Sequence, residues 1–201
     1  MTETSAGQKV FDAVTVKGIT VDLLINNAGF GDYGAFSDRP LTKQMQIIQL
    51  NIAAVVELTG LFLPSMQQRR NGAIINVSSI AGFQPIPYMS VYAASKAFVL
   101  NFSEALWAEN KDKGVNILVT CPGPTESKFY DRADFPDSAT GLNGMTMASS
   151  EKVVAETLQA LEKKQSTVVA GGFANQIIVN LPRLVPRDLL VNVVGKQFKN
   201  I

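Results

Sequence analysis

The chain has 201 residues, 46% of them apolar and 17% charged, with a net charge of +1, no histidine and one cysteine. That length and apolar content suffice for one sizeable core, so a single domain is expected, and near-neutral charge gives no reason to expect a nucleic-acid partner. The absence of histidine excludes Ser-His-Asp and Cys-His catalysis and the HExxH zinc site; with one cysteine, no metal site is expected.

A lone Cys121 excludes an internal disulfide and fits a reducing compartment, so a cytoplasmic location is expected. The polar start MTETSAGQKVFDAV lacks the apolar core of a signal peptide. No uninterrupted apolar stretch approaches the ~20 residues of a membrane span.

VDLLIN at 21–26, ending in Asn-Asn, predicts a buried strand. From 41 to about 70, Leu41, Met45, Ile48, Ile52 and Val55 recur at threes and fours and predict the packed face of a long helix. AIINVS at 73–78 is the next strand. A second long helix is expected from Tyr88 to about Lys113, packed through Val91, Ala94, Phe98, Phe102 and Ala105 and closed by Gly114. VNILVT at 115–120 is again a strand. The stretch 126–148 has no period and is rich in Asp, Ser, Thr and Gly, and a loop this long is usually functional. Ser150 is expected to cap a helix carrying Val154, Leu158 and Leu161, before a last strand at 166–171. Residues 173–201 form an amphipathic, basic segment broken by Pro182 and Pro186; it either packs on the domain or a second subunit or, less favoured by the prolines, lies on a membrane surface. Strands alternating with helices predict α/β architecture with a parallel sheet, a single domain over 1–201.

The chemistry concentrates in YAASK. Tyr92 and Lys96 lie one helical turn apart on the same face. A phenol near pKa ~10 is a poor acid at neutral pH, and an ammonium one turn away favours phenolate and draws that value down. This is the apparatus for passing a proton to or from an alcohol oxygen. With no histidine, an enzyme's proton carrier here must be Tyr, Lys, Asp or Glu.

Other motifs accompany the pair: NNAG at 26–29, Asn51 in the first long helix, INVSS at 75–79 and CPGPT at 121–125. Their order and spacing resemble the short-chain dehydrogenase/reductase family over about 10–169. The resemblance implies a Rossmann-like, doubly wound parallel sheet and NAD or NADP as cofactor, the choice between them left open. It makes Tyr92 the general acid/base in the interconversion of a carbonyl and an alcohol, and gives Ser79 a hydrogen bond to the substrate oxygen. Lys96 would tune Tyr92 and hold the nicotinamide ribose; Asn51 would order a water in the proton relay. The cofactor would also meet Ala28, Gly29, Pro122, Gly123 and Thr125, with Ser127 where the family has threonine, while Asn26 ties neighbouring strands. The segment 126–148 would be the substrate lid. Its apolar groups, among them Phe129, Tyr130, Phe135, Met145 and Met147, suit a small hydrophobic carbonyl or alcohol compound. The two long helices resemble those through which the family dimerises, so a homo-oligomer is expected.

Simpler accounts of the same residues stand beside these. Asn51 can be satisfied by a neighbouring carbonyl, Ser78 and Ser79 by exposed strand-end backbone, and CPGPTES can be only a turn. Cys121 has no base to activate it and is expected to be a packed side chain. Gly29, Gly31 and Gly34 spell G-x-G-x-x-G after a strand, but polar AFSDRP and Pro40 follow where the dinucleotide fingerprint needs a helix N-terminus. That match is a decoy.

The family's opening TGxxxGxG is not in this sequence, and VDLLIN matches the family's fourth strand. An N-terminally truncated fold of about four strands is therefore expected, with the first strand an unpaired hydrophobic edge and one sheet face short of helices. An alternative to the enzyme follows: a catalytically silent fragment or interaction protein that does not hold cofactor by itself.

Overall fold

The computed structural model describes residues 6–136 and 147–199. Met145 and the middle of the expected lid lie outside the described residues. Four parallel strands make one sheet in the order β1 (Leu23–Asn26), β2 (Gly72–Val77), β3 (Val115–Thr120) and β4 (Thr167–Val168). The expected strand at 166–171 is thus pared to two residues.

One face of the sheet is covered by α1 (Ala6–Val16), α3 (Ala54–Gln68) and α4 (Ser90–Asn110), around a core of Leu58, Phe62, Met66, Ile74, Val115 and Ile117. The first long helix is continuous over 41–68 but not regular. It runs as α2 (Leu41–Ile48), one π turn (Gln49–Ala53) and α3. At 28 residues it is the one helix among the described residues long and apolar enough, by length and composition, to cross a membrane. The expectation rested on uninterrupted runs; here Gln49, Asn51 and Glu57 interrupt the run while the many apolar residues around them keep the mean hydropathy high. Here the helix packs on the sheet through Val55, Leu58, Phe62 and Met66.

Two helix faces differ from expectation. Val55 is buried as expected, but Leu41 (66% exposed), Met45 (55%) and Ile48 point outward, and Gln44, Ile47, Asn51, Ala54 and Leu58 are among the buried positions. On α4, Ala94 and Ala105 are exposed and Phe98 is partly so, whereas Tyr92, Ser95, Lys96, Val99 and Ser103 are buried. The physical reason is common to both. The inward faces include polar groups that find hydrogen-bond partners, so the buried stripe is rotated away from the one that apolar spacing alone marks. Ser149, not Ser150, caps α6 (Ser150–Glu162) by accepting a bond from the Lys152 amide, and Val154 and Leu158 stay exposed.

β1 is one edge of the sheet, paired with β2 on one side, and its exposed Leu23 (40%) and Ile25 (51%) make it the hydrophobic edge that was expected. α7 (Phe173–Asn180) and α8 (Arg187–Lys199) form the C-terminal segment. Leu190 and Val194 of α8 are buried in a cluster with Ile86, Met89 and Tyr92, so the packing account of this segment is the one realised there.

The N-terminus of α1 is closed by a residue fifty positions away: Glu57 accepts the Gly7 and Gln8 amides at 3.1 Å each. Glu57→Ala is expected to lower stability by ~1 kcal/mol, the usual worth of such a cap. An unchanged midpoint in urea unfolding would show that this carboxylate contributes nothing.

Candidate active site

The carboxyl ends of β1, β2 and β3 open into a cavity of about 780 Å³, lined among others by Gly29, Ser79, Tyr92, Lys96, Pro122 and Gly123. Thr125 and Ser127 also reach it; Asn26, Ala28 and Asn51 do not. In open α/β sheets this end of the strands is where ligands bind.

Tyr92 and Lys96 come from the first two turns of α4. This helix begins at Ser90 rather than Tyr88, because Tyr88 adopts a left-handed conformation (φ 67°). Lys96 Nζ donates to the Val77 carbonyl at 2.8 Å and stands 5.8 Å from the centre of the Tyr92 ring. Ser78 donates to the Lys96 carbonyl at 2.7 Å, and Gly82 leaves room for this approach, since a Cβ there would meet that carbonyl oxygen at 2.8 Å. Ser79 ends the strand extended, accepts the Ala81 amide at 3.1 Å and so caps the turn Ile80–Phe83.

Burial, the dominant influence, raises the Tyr92 phenol to about 12; a hydrogen bond with Ser79 pulls it part of the way back. Burial also draws Lys96 down to about 8. The expectation that the ammonium lowers the phenol is therefore not met in this state. Desolvation sets the Tyr92 value, with the Lys96 ammonium 5.8 Å from the ring and itself made less willing to be charged. Cys121 is fully buried and pushed up to about 12, an unreactive thiol.

Asn51 lies in the π turn, with its amide engaged by protein: Nδ2 donates to the Phe30 carbonyl and Ser95 Oγ at 3.0 Å each, and Oδ1 accepts the Phe30 amide at 3.2 Å. Asn26 donates to Asn76 at 2.8 Å and to Thr59 at 3.2 Å; Asn76 donates on to Ser103 at 2.9 Å. These bonds join β1, β2, α3 and α4 below the cavity. Gly29 keeps its floor flat: a Cβ there would stand 3.1 Å from Asn51 Oδ1 and 3.4 Å from Lys96 Nζ.

Thr125 donates to the Gly123 carbonyl at 2.9 Å, and Ser127 accepts the Phe129 amide at 3.3 Å as the lid segment turns into α5 (Phe129–Arg132). Two features escaped sequence reasoning. Asn175 on α7 lies against Gly123, where a Cβ would meet its amide at 2.3 Å; the adjacent Gly171 and Gly172, both at positive φ, were the only signal. Asp32, fully buried, binds Arg39, Lys43 and Gln44, with no signal beyond its place inside the decoy.

A parallel sheet with a buried Tyr–Lys pair and a serine converging on a cavity at its carboxyl edge defines a Rossmann-like α/β protein. The short chain dehydrogenase family matches residues 1–134. A ketoacyl reductase, HetN, from Nostoc is 36% identical over 165 residues, covering 82% of this chain and 56% of the relative. Mouse 17-beta-hydroxysteroid dehydrogenase type 3 is 31% identical over 189 residues, covering 91% and 57%. The structure of a short-chain dehydrogenase from Sphingobium yanoikuyae in complex with NADPH superposes with a TM-score of 0.75 at 26% identity, over 84% of this chain and 64% of that one. The chain belongs to the short-chain dehydrogenase family. It spans little more than half the length of the curated relatives it matches.

The sign of the Lys96 shift makes a stability prediction. Between about 8 and its unfolded value the folded protein holds fewer protons than the unfolded one, so wild-type stability rises with pH through that window. Lys96→Met removes the buried ammonium and is expected to be more stable than wild type at pH 7. That advantage shrinks as pH climbs past about 8. Equal stability at every pH, read by urea unfolding, would contradict a buried charge.

Proposed function

We propose that the chain carries the proton-transfer half of an NAD(P)-dependent oxidoreductase interconverting a carbonyl and an alcohol. The observation that carries this proposal is the convergence of Tyr92, Ser79 and Lys96 on one cavity. With its value raised to about 12, Tyr92 is a phenol at neutral pH, the form that can donate. A substrate carbonyl oxygen at this end of the cavity would accept hydrogen bonds from Tyr92 and Ser79. A nicotinamide, when bound, supplies the hydride to the carbonyl carbon. Tyr92 passes its proton to the oxygen as negative charge develops there. The Lys96 ammonium stabilises the phenolate left behind.

Lys96 has three N–H donors, and among the described residues one goes to Val77. The others suit ribose hydroxyls. The flat floor at Gly29 and the loop of Pro122, Gly123 and Thr125 suit the nicotinamide beside them. Tyr92→Phe is expected to lower kcat by roughly 10²–10⁴ while leaving cofactor affinity unchanged. Titration of the wild type with NADH and with NADPH, followed by cofactor fluorescence, tests the premise: no saturation below about 1 mM, the top of ordinary KM values, would sink it. The exposed Leu23 and Ile25 on the edge strand favour the second reading, a chain whose sheet is completed by another and which is silent alone. Failure to bind either nucleotide supports that one.

A homo-oligomer is part of the proposal. The outward stripe of Leu41, Met45 and Ile48 on α2 and Phe98 on neighbouring α4 offers an apolar surface suited to a second copy. The double substitution Met45→Asp, Phe98→Asp should leave a monomer in sedimentation velocity; an unchanged mass would remove this surface from consideration.

A further inference from the structure

The decoy glycine motif has a different use. Beyond Gly29 and Phe30 come Gly31, Asp32, Tyr33 and Gly34; the first three meet the lid segment or hold groups that do, and Gly34 ties the chain back to Tyr88. A Cβ on Gly31 would lie 2.9 Å from Phe129 Cζ, 3.2 Å from Met89 Cε and 3.3 Å from Tyr92 Cδ2, so glycine alone lets the three pack together. Asp32 turns inward and binds Arg39 Nε at 2.8 Å, Arg39 Nη2 at 2.6 Å, Gln44 at 2.6 Å and Lys43 at 2.7 Å. The same two cations reach across to Asp134, just after α5: Arg39 Nη2 at 2.5 Å and Lys43 Nζ at 2.7 Å. Tyr33 donates its amide to the Ala133 carbonyl at 2.8 Å and stacks on Phe135, centroids 4.8 Å apart. The Gly34 amide donates to the carbonyl of Tyr88 at 2.9 Å.

The result fixes α5 against the acid/base. The Phe129 ring stands 5.1 Å from that of Tyr92, and Tyr130 meets Phe129 edge-on at 5.5 Å. Phe129, Tyr130 and Phe135 all line the cavity. They form an aromatic wall beside the proton donor. A buried carboxylate with its hydrogen-bonding capacity filled is a rigid anchor. It presets Arg39 and Lys43, so Asp134 docks on cations already held in place. That arrangement differs from an isolated surface pair, which contributes little because both side chains must first be ordered.

We propose that residues 31–34 are the docking platform of an aromatic substrate wall, and that Asp134, held by Arg39 and Lys43, is a positioning residue that sets the site's preference for bulky apolar, aromatic ketones over small ones. This rests on the oxidoreductase reading for its substrate chemistry, while the docking itself does not. Asp134 touches no reacting atom. It acts by holding the backbone that carries Phe129 and Tyr130.

The test compares wild type, Asp134→Ala and Asp134→Glu in two ways. First, with the preferred nicotinamide cofactor, benzophenone and acetone are reduced side by side. In Asp134→Ala the KM for benzophenone is expected to rise about tenfold with kcat changed by less than about twofold, the signature of lost uniform binding. The benzophenone-to-acetone ratio of kcat/KM falls accordingly, and Asp134→Glu restores it by restoring the carboxylate. Second, without substrate or cofactor, hydrogen exchange at the Tyr33, Ala133 and Phe135 amides is expected to speed up in Asp134→Ala and recover in Asp134→Glu, while β2 and β3 keep wild-type protection. If neither ketone is reduced by the wild type, the oxidoreductase reading fails and the exchange measurement alone decides the platform. Unchanged exchange in Asp134→Ala, an unchanged ketone ratio in an active enzyme, or no recovery with glutamate would each overturn the proposal.

Discussion

A lysine ammonium buried at the end of a β-strand is the constraint around which this fold is arranged. An ion out of water is costly unless a partner is fixed beside it, and the partner here is the carbonyl of Val77, the last residue of β2. To reach it, α4 must lie with its Lys96 edge over the strand ends, which Ser78 secures by bonding the Lys96 carbonyl. The approach is close enough to require glycine at position 82. Once that edge is set, Tyr92 one turn earlier faces the cavity beside Ser79. The charge remains reluctant, with Lys96 drawn down to about 8 by burial.

The same constraint puts polar side chains on the buried face of α4. Tyr92, Ser95, Lys96, Ser103 and Asn110 lie there among the apolar Ala93, Val99 and Leu100, while Ala94, Phe98 and Ala105 look outward. Buried polar side chains are tolerated because they bond to one another and to backbone: Ser95 to Asn51 and the Tyr92 carbonyl, Ser103 to Asn76 and the Val99 carbonyl. Asn26 extends this network to β1. The sheet, the two long helices and the cavity floor are thus joined by side-chain hydrogen bonds as much as by apolar contact. Apolar residues such as Leu41, Met45 and Phe98 are left exposed on the outer side.

Glycines following β1 serve the site by three separate means. Gly29 keeps the floor open beneath Lys96 and Asn51, and Gly31 admits Phe129 beside Tyr92. Gly34 takes a φ of 141° that lets the chain turn back under Tyr88. None of them opens a helix, because Pro40 and the polar turn before it delay α2 to Leu41. The spacing of a phosphate-binding loop arises here from unrelated steric demands.

Much of this was legible in the chain itself. Short apolar runs gave the strands at Ile74 and Ile117, because a parallel strand buried on both faces needs no alternation to be recognised, and the similar run at Leu23 became a half-exposed edge strand. The four-residue spacing of Tyr92 and Lys96 put both on one helix face, since 3.6 residues per turn is a local property. Which face turned inward was not local. Periodicity marks an apolar stripe but cannot see the carbonyls, amides and hydroxyls that make a polar face the better one to bury. The direction of the Tyr92 shift was hidden for the same reason: one turn of helix gives the neighbour, whereas desolvation depends on everything that closes over the ring, including Phe129 and, from α8, the cluster of Leu190 and Val194. Asp32 and Asp134 lie about a hundred positions apart and meet through the same two cations only in space. The sequence by itself determined the three longer strands, the two long helices and the pairing of Tyr92 with Lys96 on one helix face; tertiary structure alone decided what surrounds that pair, because burial and charge pairing are properties of distance in space and not of distance along the chain.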